Sequence, residues 1–357
     1  MQYVLLGKSG IRASRLSFGA IKLPEISQKE ANEALNLALD LGINFIDTAR
    51  NYTVSERMIS LAIGSRRDEF ALASKSSGRT ATDAWRDLET SRRELKMDFI
   101  DLWQLHSVSS ASEWREVIAP GGALQAAKKA LAQGIIGHIG ITIHRDLHVM
   151  RQAIMSGEFE TIMLCHNILD PENVAGEILP LAKERGLGTI IMKPLNGGSL
   201  STAGGTASPD PIARGSLRAL LADDNVDIVI PGMRNAREVR ENRATADMPP
   251  LTPAEREALL HQLGQVQAHH RYGQRCLRCG YCLEACPEEL PIREILRAMD
   301  MLRAYPEHLK NLATDLYRSL PVRADSCRAC GSCEPKCPAG LPIPDMMEEA
   351  ARTFVQL

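Results

Sequence analysis

The sequence predicts a (β/α)8 barrel followed by a small, mainly helical domain. Two observations carry this expectation. Eight short apolar runs of strand type alternate with helical segments over roughly the first 250 residues, the count of an α/β barrel. Two cysteine runs of identical spacing then occupy a C-terminal stretch whose intervening segments have helical character.

The apolar runs are "SRLSFGA" near residues 15–20, "NFIDTA" (44–49), "FALASK" (70–75) and "FIDLWQLH" (99–106). The later four are "IGHIGITIH" (136–144), "TIMLCHNI" (161–168), "GTIIMKPL" (188–195) and "VDIVIPGM" (226–233). Their dense β-branched and leucine content suits strands buried on both faces of a parallel sheet. A doubly wound sheet is the weaker alternative, because the alternation is strict. Between the runs, "SQKEANEALNLALDLG" opens with Ser27 and Glu30 in capping-box positions and sets Ala31, Ala34, Leu35 and Ala38 on one stripe. "TDAWRDLETSRRELKM", "GALQAAKKALAQG", "NVAGEILPLAKERG" and "REVRENRATA" read as helices too. The opening "MQYVLLGKSGI" lacks a helix and is expected to be a hairpin under the barrel. The Gly/Ser/Thr-rich "NGGSLSTAGGTASPDP" after the seventh run is expected to be a lid, since it leaves the strand end where barrels keep their sites.

A boundary is expected at "ADMPPLTP", dividing the chain into residues 1–250 and 251–357. Thr252, Pro253 and Glu255 start a helix with proline at its first position, running to about Arg271. "REILRAMDMLRAYPEHLKNLATDLYRSL" and "PDMMEEAARTFVQ" supply the remaining helices, and bound metal is expected to replace much of the missing core.

A formal net charge of -2 offers no electrostatic reason for nucleic acid or an anionic membrane as partner. No apolar run reaches the roughly 18 residues of a membrane span, and no export leader is evident, so a soluble cytoplasmic protein is expected. Eight of the nine cysteines lie in the two runs, which suits thiolate ligation in a reducing compartment better than a disulfide framework. Cys165 stands apart and reads as a small buried hydrophobe. Trp85, Trp103 and Trp114 read as packing residues rather than pocket aromatics.

"CLRCGYCLEACP" and "CRACGSCEPKCP" each follow C-x2-C-x2-C-x3-C-P, the spacing of paired [4Fe-4S] clusters. Zinc sites would show cysteine pairs or histidine in the set. The region resembles the two-cluster ferredoxins, and its helical intervening segment resembles their α-helical type. In such pairs the fourth cysteine usually reaches the other cluster. That crossing expects one cluster on Cys276, Cys279, Cys282 and Cys337, and the other on Cys327, Cys330, Cys333 and Cys286.

Asp47, Tyr52, Lys75 and His106 stand at or just beyond successive strand ends, which a barrel brings to one mouth. Together they form a proton-delivery set. A tyrosine with a pKa of about 10 becomes a useful acid only beside a cation, which a carboxylate can hold in place. A histidine can donate to a carbonyl oxygen. "INFIDTARNY", "ALASK" and "DLWQLHS" resemble the aldo-keto reductases, as do "LGKSGIRASRLSFGA" and "VIPGMRNAREVREN", so the likeness covers roughly residues 1–247. It implies a (β/α)8 barrel using NADP(H) or NAD(H), with Tyr52 the general acid, Lys75 its modifier, Asp47 the partner of Lys75 and His106 the carbonyl orienter. The whole chain resembles a subgroup carrying a C-terminal ferredoxin-like domain.

The resemblance also implies a cofactor shell of Gly19, Thr142, Asn167, Met192, Lys193, Leu195, Arg234, Glu238 and Asn242, and this shell departs from the family pattern. Thr142-Ile143 replaces Ser-Asn, Ile162 a glutamine, and Met192 the stacking aromatic. Gly232 and Glu238 replace cationic residues at the 2′-phosphate, which Arg234 and Arg237 would take instead. The expected function is reduction of an aldehyde or ketone, or oxidation of an alcohol. The alternative is an electron-transfer protein whose ferredoxin-like domain serves a ferredoxin or flavoprotein partner while the barrel docks. A third reading keeps the reductase and makes the clusters structural or oxygen-sensing.

Overall fold

The computed structural model describes residues 1–144, 146–168, 174–198, 200, 210–268, 276, 280–304, 310–337 and 340–355. It divides into two compact units, one of Met1–Asn196 with Ala213–Thr252, the other of Gly197–Ile212 with Pro253–Leu357.

The first unit opens with an antiparallel hairpin of β1 (Tyr3–Leu5) and β2 (Arg12–Ser14). Eight strands follow: β3 (Phe18–Gly19), β4 (Phe45–Asp47), β5 (Ala71–Ser76), β6 (Ile100–Leu105), β7 (Ile136–Ile143), β8 (Thr161–Cys165), β9 (Gly188–Met192) and β10 (Ile228–Ile230). Neighbours in sequence are neighbours in the sheet, and every pair is parallel. A doubly wound sheet would reverse its order partway. Here the first and last strands meet instead: Leu16 bridges Val229 and Gly19 bridges Gly232. The Ser17 amide donates to Val229 O at 2.9 Å and the Gly19 amide to Pro231 O at 3.0 Å, closing the barrel. Gly19 permits the approach, since a Cβ there would lie 2.9 Å from the Pro231 carbonyl oxygen.

Helices separate the strands: α1 (Gln28–Asp40), α2 (Ser55–Ile63), α3 (Ala81–Leu95), α4 (Ala111–Ile118), α5 (Ala123–Ala132), α6 (Leu147–Ser156), α7 (Leu179–Glu184), α8 (Pro211–Leu221) and α9 (Ala236–Ala246). The capping box at α1 is complete, with Ser27 and Glu30 satisfying each other's amides, and its stripe of Ala31, Ala34, Leu35 and Ala38 is fully buried. In β8 and β9 every residue is buried, as strands covered on both faces require. Cys165 is one of these buried residues. Trp103 and Trp114 are buried, and Trp85 lies under the Lys129 ammonium, 4.2 Å from its ring centroid. The Gly/Ser/Thr-rich connection expected as a lid falls, at residues 199 and 201–209, outside the described residues.

The hairpin covers the barrel's N-terminal end. Leu6 is fully buried, and the Lys8 amide donates to Gly186 O at 2.8 Å just before β9. Gly7 makes this possible with φ +51°, and a Cβ there would lie 2.0 Å from the Gly188 amide nitrogen.

The second unit contains α10 (Pro253–Ala268), α11 (Ile292–Ala304), α12 (Asn311–Arg318) and α13 (Ile343–Val355). Proline opens α10 at the expected position. The "helical" stretch between the cysteine runs is two helices, with residues 305–309 outside the described residues. The unit has its own core, including Ile292, Ile295, Met347 and Ala350, with Tyr317 stacked on Phe354 at 4.1 Å between ring centroids. The cysteine repeat is also a backbone repeat. Gly280 and Gly331 both take positive φ, and their carbonyls accept from Leu283 and Glu334. The Cys286 and Cys337 carbonyls accept from Glu289 and Gly340, and the Ile292 and Ile343 amides that begin α11 and α13 donate to Leu290 and Leu341. Among the described residues no helix is long and apolar enough to cross a membrane.

Gly7→Ala puts a side chain into backbone at a left-handed position. It is expected to lower stability by about 1–3 kcal/mol, read as a reduced denaturant midpoint, with no change in ligand binding at the opposite end of the barrel.

Candidate active site

Because parallel strands all end at one mouth, β4, β5 and β6 deliver their last inward residues together. Asp47 ends β4, Lys75 lies near the end of β5, and His106 directly follows β6. All three are buried. The Lys75 ammonium donates to Asp47 Oδ2 at 2.7 Å and to the Thr48 carbonyl at 2.7 Å. It also lies 5.0 Å from the ring centroid of Tyr52, which the loop after β4 carries. The Tyr52 and His106 rings meet edge to face, with centroids 5.9 Å apart. The four residues singled out from the sequence therefore form one cluster.

Burial pulls the Lys75 pKa down, opposed by the Asp47 carboxylate, and pushes the Asp47 pKa up, opposed by the same ion pair. His106 is held well below its ordinary value by burial first and then by the cations Lys75, Arg79 and Lys193. It is accordingly a neutral imidazole at physiological pH.

Sequence reading missed the residues that hold this cluster still. Gln104 Nε2 donates to Asp47 Oδ1 at 3.2 Å from the inward face of β6 that His106 continues. Gly140 makes room for it, since a Cβ there would lie 3.0 Å from Gln104 Cγ. The period-2 alternation of "WQLH" carries that signal, because Gln104 and His106 share a face. Arg79 donates to the carbonyls of His106 and Ser107, each at 2.8 Å. Behind the mouth, the buried Glu56 carboxylate accepts from Ser74 Oγ at 2.6 Å and pairs with Arg50, whose guanidinium also holds the Thr53 carbonyl. Glu56 thus ties the Tyr52 loop to the strand carrying Lys75. No sequence spacing reveals this link, which joins residues across two elements.

The expected cofactor-shell residues also gather at the strand ends. Gly19 ends β3, Thr142 lies on β7, Asn167 follows β8 and Met192 ends β9, all of them buried. Lys193 and Leu195 follow, half-buried, and Lys193 has φ 55°. Thr142 Oγ1 accepts from the Ser107 amide at 2.7 Å. Hydroxyl, amide and thioether groups at this end fit a carboxamide-bearing aromatic ring. Beyond β10, Arg234 is exposed but engaged: its guanidinium donates to Glu238 Oε1 at 2.8 and 3.2 Å, and its amide to Glu238 Oε2 at 2.8 Å. Arg237 is exposed, with Glu241 at 3.9 Å. Asn242 lies half-buried on α9. A phosphate arriving at Arg234 would compete with the Glu238 carboxylate.

In the second unit, Cys286 from the first run lines one recess with Cys327, Cys330 and Cys333 from the second. This is the crossed set expected from the spacing. Pro287, Leu290, Ile343 and Met347 complete its walls. Four cysteines lining one recess with mostly apolar walls suit the chemistry of a [4Fe-4S] cluster, which needs thiolate at four corners and exclusion of water, although among the described residues no group of three or more His, Cys, Asp or Glu side chains is arranged to hold a single metal ion. Of the other expected set, Cys282 is buried and Cys276 and Cys337 half-buried against the same core, while Cys279 lies outside the described residues.

Comparisons with known proteins agree with both units. The model of the aldo/keto reductase family matches residues 15–218, more than half of the chain. The model of the 4Fe-4S dicluster domain matches residues 272–341. An uncharacterised oxidoreductase of Bacillus subtilis, YqkF, is 28% identical over 74% of this chain and 98% of its own. L-galactose dehydrogenase of Arabidopsis thaliana is 26% identical over 67% of this chain and 86% of its own. Among solved structures, the holo form of an aldo-keto reductase from Bacillus halodurans superposes with a TM-score of 0.62, covering 73% of this chain and 96% of its own. At 24% identity that likeness speaks to the fold.

The neutrality of His106 has a thermodynamic consequence. In the unfolded chain histidine takes up a proton near pH 6.5, whereas folded His106 does not until well below that. Its contribution to stability is therefore complete above about pH 6.5 and falls as the pH drops toward the depressed folded value. His106→Gln is expected to lose less stability than the parent on acidification from about pH 8 to 5, measured by denaturant unfolding at each pH.

Proposed function

The chain belongs to the aldo/keto reductase family, and on that premise we propose that it interconverts an aldehyde or ketone with the corresponding alcohol, using NAD(P)(H) at the barrel mouth and carrying two [4Fe-4S] clusters in its C-terminal unit. The observation that carries the reading is the buried Lys75 ammonium, held by Asp47 and the Thr48 carbonyl and placed beside the Tyr52 ring. When bound, the nicotinamide supplies hydride transfer and each cluster a one-electron couple.

The chain's own residues do the rest. Tyr52 holds the proton that passes to the substrate oxygen in reduction and accepts it in oxidation. Lys75 favours the phenolate and so brings that proton within reach at neutral pH. Asp47 and Gln104 fix Lys75 against reorientation, which preserves the geometry between turnovers. Neutral His106 donates a hydrogen bond to the carbonyl oxygen without changing charge. Thr142 and Asn167 would hold the carboxamide, Met192 would lie against the ring, and Lys193 and Leu195 would flank the pyrophosphate near Gly19. Asn242 would face the adenine. Arg234 and Arg237 are the groups available to a 2′-phosphate, with Glu238 better suited to a ribose hydroxyl.

Substrates of this reading are small carbonyl compounds or alcohols. The C-terminal unit supports a ferredoxin or flavoprotein as redox partner, because one-electron couples need a one-electron acceptor or a flavin to divide a hydride pair.

Tyr52→Phe is expected to lower kcat by roughly 100- to 10,000-fold while leaving the cofactor Kd unchanged, measured by carbonyl reduction and by fluorescence titration. Normal turnover in that variant would overturn the assignment of Tyr52 as the proton donor. Glu238→Gln releases Arg234 and is expected to lower the KM for NADPH about fivefold, equivalent to about 1 kcal/mol, and to raise the KM for NADH, whose ribose hydroxyl loses a charged acceptor.

A further inference from the structure

Non-glycine residues seldom take a left-handed φ, and a β-branched residue there is under steric strain. Thr53 nevertheless has φ 47° and Ser107 φ 53°. Each directly follows a residue of the proton-delivery set, Thr53 after Tyr52 and Ser107 after His106. Each also has its carbonyl gripped by an arginine. The Arg50 guanidinium donates to Thr53 O at 2.9 Å and pairs with the buried Glu56 carboxylate. The Arg79 guanidinium donates to His106 O and Ser107 O, each at 2.8 Å, and pairs with Glu113 Oε1 at 3.0 Å. The two clamps are built alike and anchored apart. Glu56 lies in the first turn of α2 and accepts from Ser74 Oγ at 2.6 Å, one residue before Lys75 on β5. Glu113 lies in the first turn of α4, and its Oε2 accepts from the Ser109 amide at 2.6 Å. Backbone bonds join both loops to neighbouring strands: the Arg50 amide donates to Lys75 O at 3.0 Å, and the Val108 amide to Thr142 O at 3.0 Å.

Backbone strain persists only where the surrounding structure over-determines it. We propose that Arg50 and Arg79 are positioning residues, which hold Thr53 and Ser107 in the left-handed conformation and so aim the Tyr52 phenol and the His106 imidazole into the mouth. Relaxation of either φ to the ordinary negative range would swing the peptide that follows and carry the preceding side chain with it. The clamps grip different loops, so each sets one half of the site: Arg50 the proton donor, Arg79 the group that orients the carbonyl. Arginine suits this task because its planar fork reaches a carboxylate and a carbonyl at once, whereas lysine presents a single point charge. The proposal rests on the reading of Tyr52 as proton donor and His106 as carbonyl orienter.

The test is a crossed rescue in the full chain, with reduction of 4-nitrobenzaldehyde by NADPH as the activity probe. Arg50→Lys and Arg79→Lys keep the charge and lose the fork. Each is expected to lower kcat by roughly 10- to 100-fold, with the NADPH Kd from fluorescence titration unchanged. Adding Thr53→Gly to Arg50→Lys should recover most of the loss, because glycine takes a left-handed φ without steric cost. Ser107→Gly should do the same for Arg79→Lys. The crossed pairs, Arg50→Lys with Ser107→Gly and Arg79→Lys with Thr53→Gly, should recover nothing, a pattern that a general loss of stability would not produce. Amide hydrogen exchange followed by mass spectrometry reads the clamps without any substrate. Arg50→Lys should speed exchange across residues 50–56 alone, and Arg79→Lys across 104–110 alone. If Arg79→Lys folds poorly, Glu113→Gln loosens the same clamp from its other side and should act in the same direction. The proposal is overturned if exchange is unchanged in both segments, or if each glycine rescues both arginine variants or neither. Normal turnover in Tyr52→Phe would instead overturn the reading of the site beneath it.

Discussion

A buried ammonium is the constraint around which the barrel's mouth is organised. Lys75 cannot be taken out of water without compensation, since an unpaired charge in that environment costs several kcal/mol. Asp47 and the Thr48 carbonyl supply it directly, and Gln104 then steadies Asp47. Each of these partners sits on a neighbouring strand, so the charge is satisfied only if β4, β5 and β6 are in register. Lys75 is level with Gln104, and Asp47 with Ala73, two residues before Lys75 on the same face. The Glu56 carboxylate extends the same logic behind the mouth, tying the Tyr52 loop through Arg50 to Ser74 beside Lys75.

The two units solve the problem of stability differently. The barrel buries long apolar strands and closes on itself, with Gly19 and Gly7 permitting backbone contacts that any side chain would prevent. The C-terminal unit is small, and its core of Ile292, Ile295, Met347 and neighbours includes Cys282 and Cys333. On the proposed ligation, these core cysteines would couple metal binding to folding. The turns at Gly280 and Gly331 repeat with the cysteine spacing, each with positive φ and a carbonyl accepting from the residue three further on.

Much of the fold was legible in the chain. Seven of the eight barrel strands fall within the apolar runs and β5 passes its run by one residue, to Ser76, since strands covered on both faces are mostly apolar. The Ser27 capping box and the Pro253 helix start were visible because their signals are local. The reading was coarser between the cysteine runs, where one helical stretch is two helices, α11 and α12. Of the site, Asp47, Tyr52, Lys75 and His106 were legible because strand ends in a barrel converge. Gln104, Arg79 and Glu56 were not, because their roles depend on which side chains they meet across elements.

What the sequence determined by itself is chemistry and spacing: eight cysteines in two matched runs, and four polar residues at or just beyond the ends of three apolar strands. Those properties are written along the chain, and periodicity reads them. Tertiary structure alone decided which groups face one another. It set Gln104 on Asp47, Glu56 on Ser74, and Cys286 in the recess of the other run. The physical reason is that hydrogen bonds and ion pairs act over a few ångströms, and only folding brings residues distant along the chain within that reach.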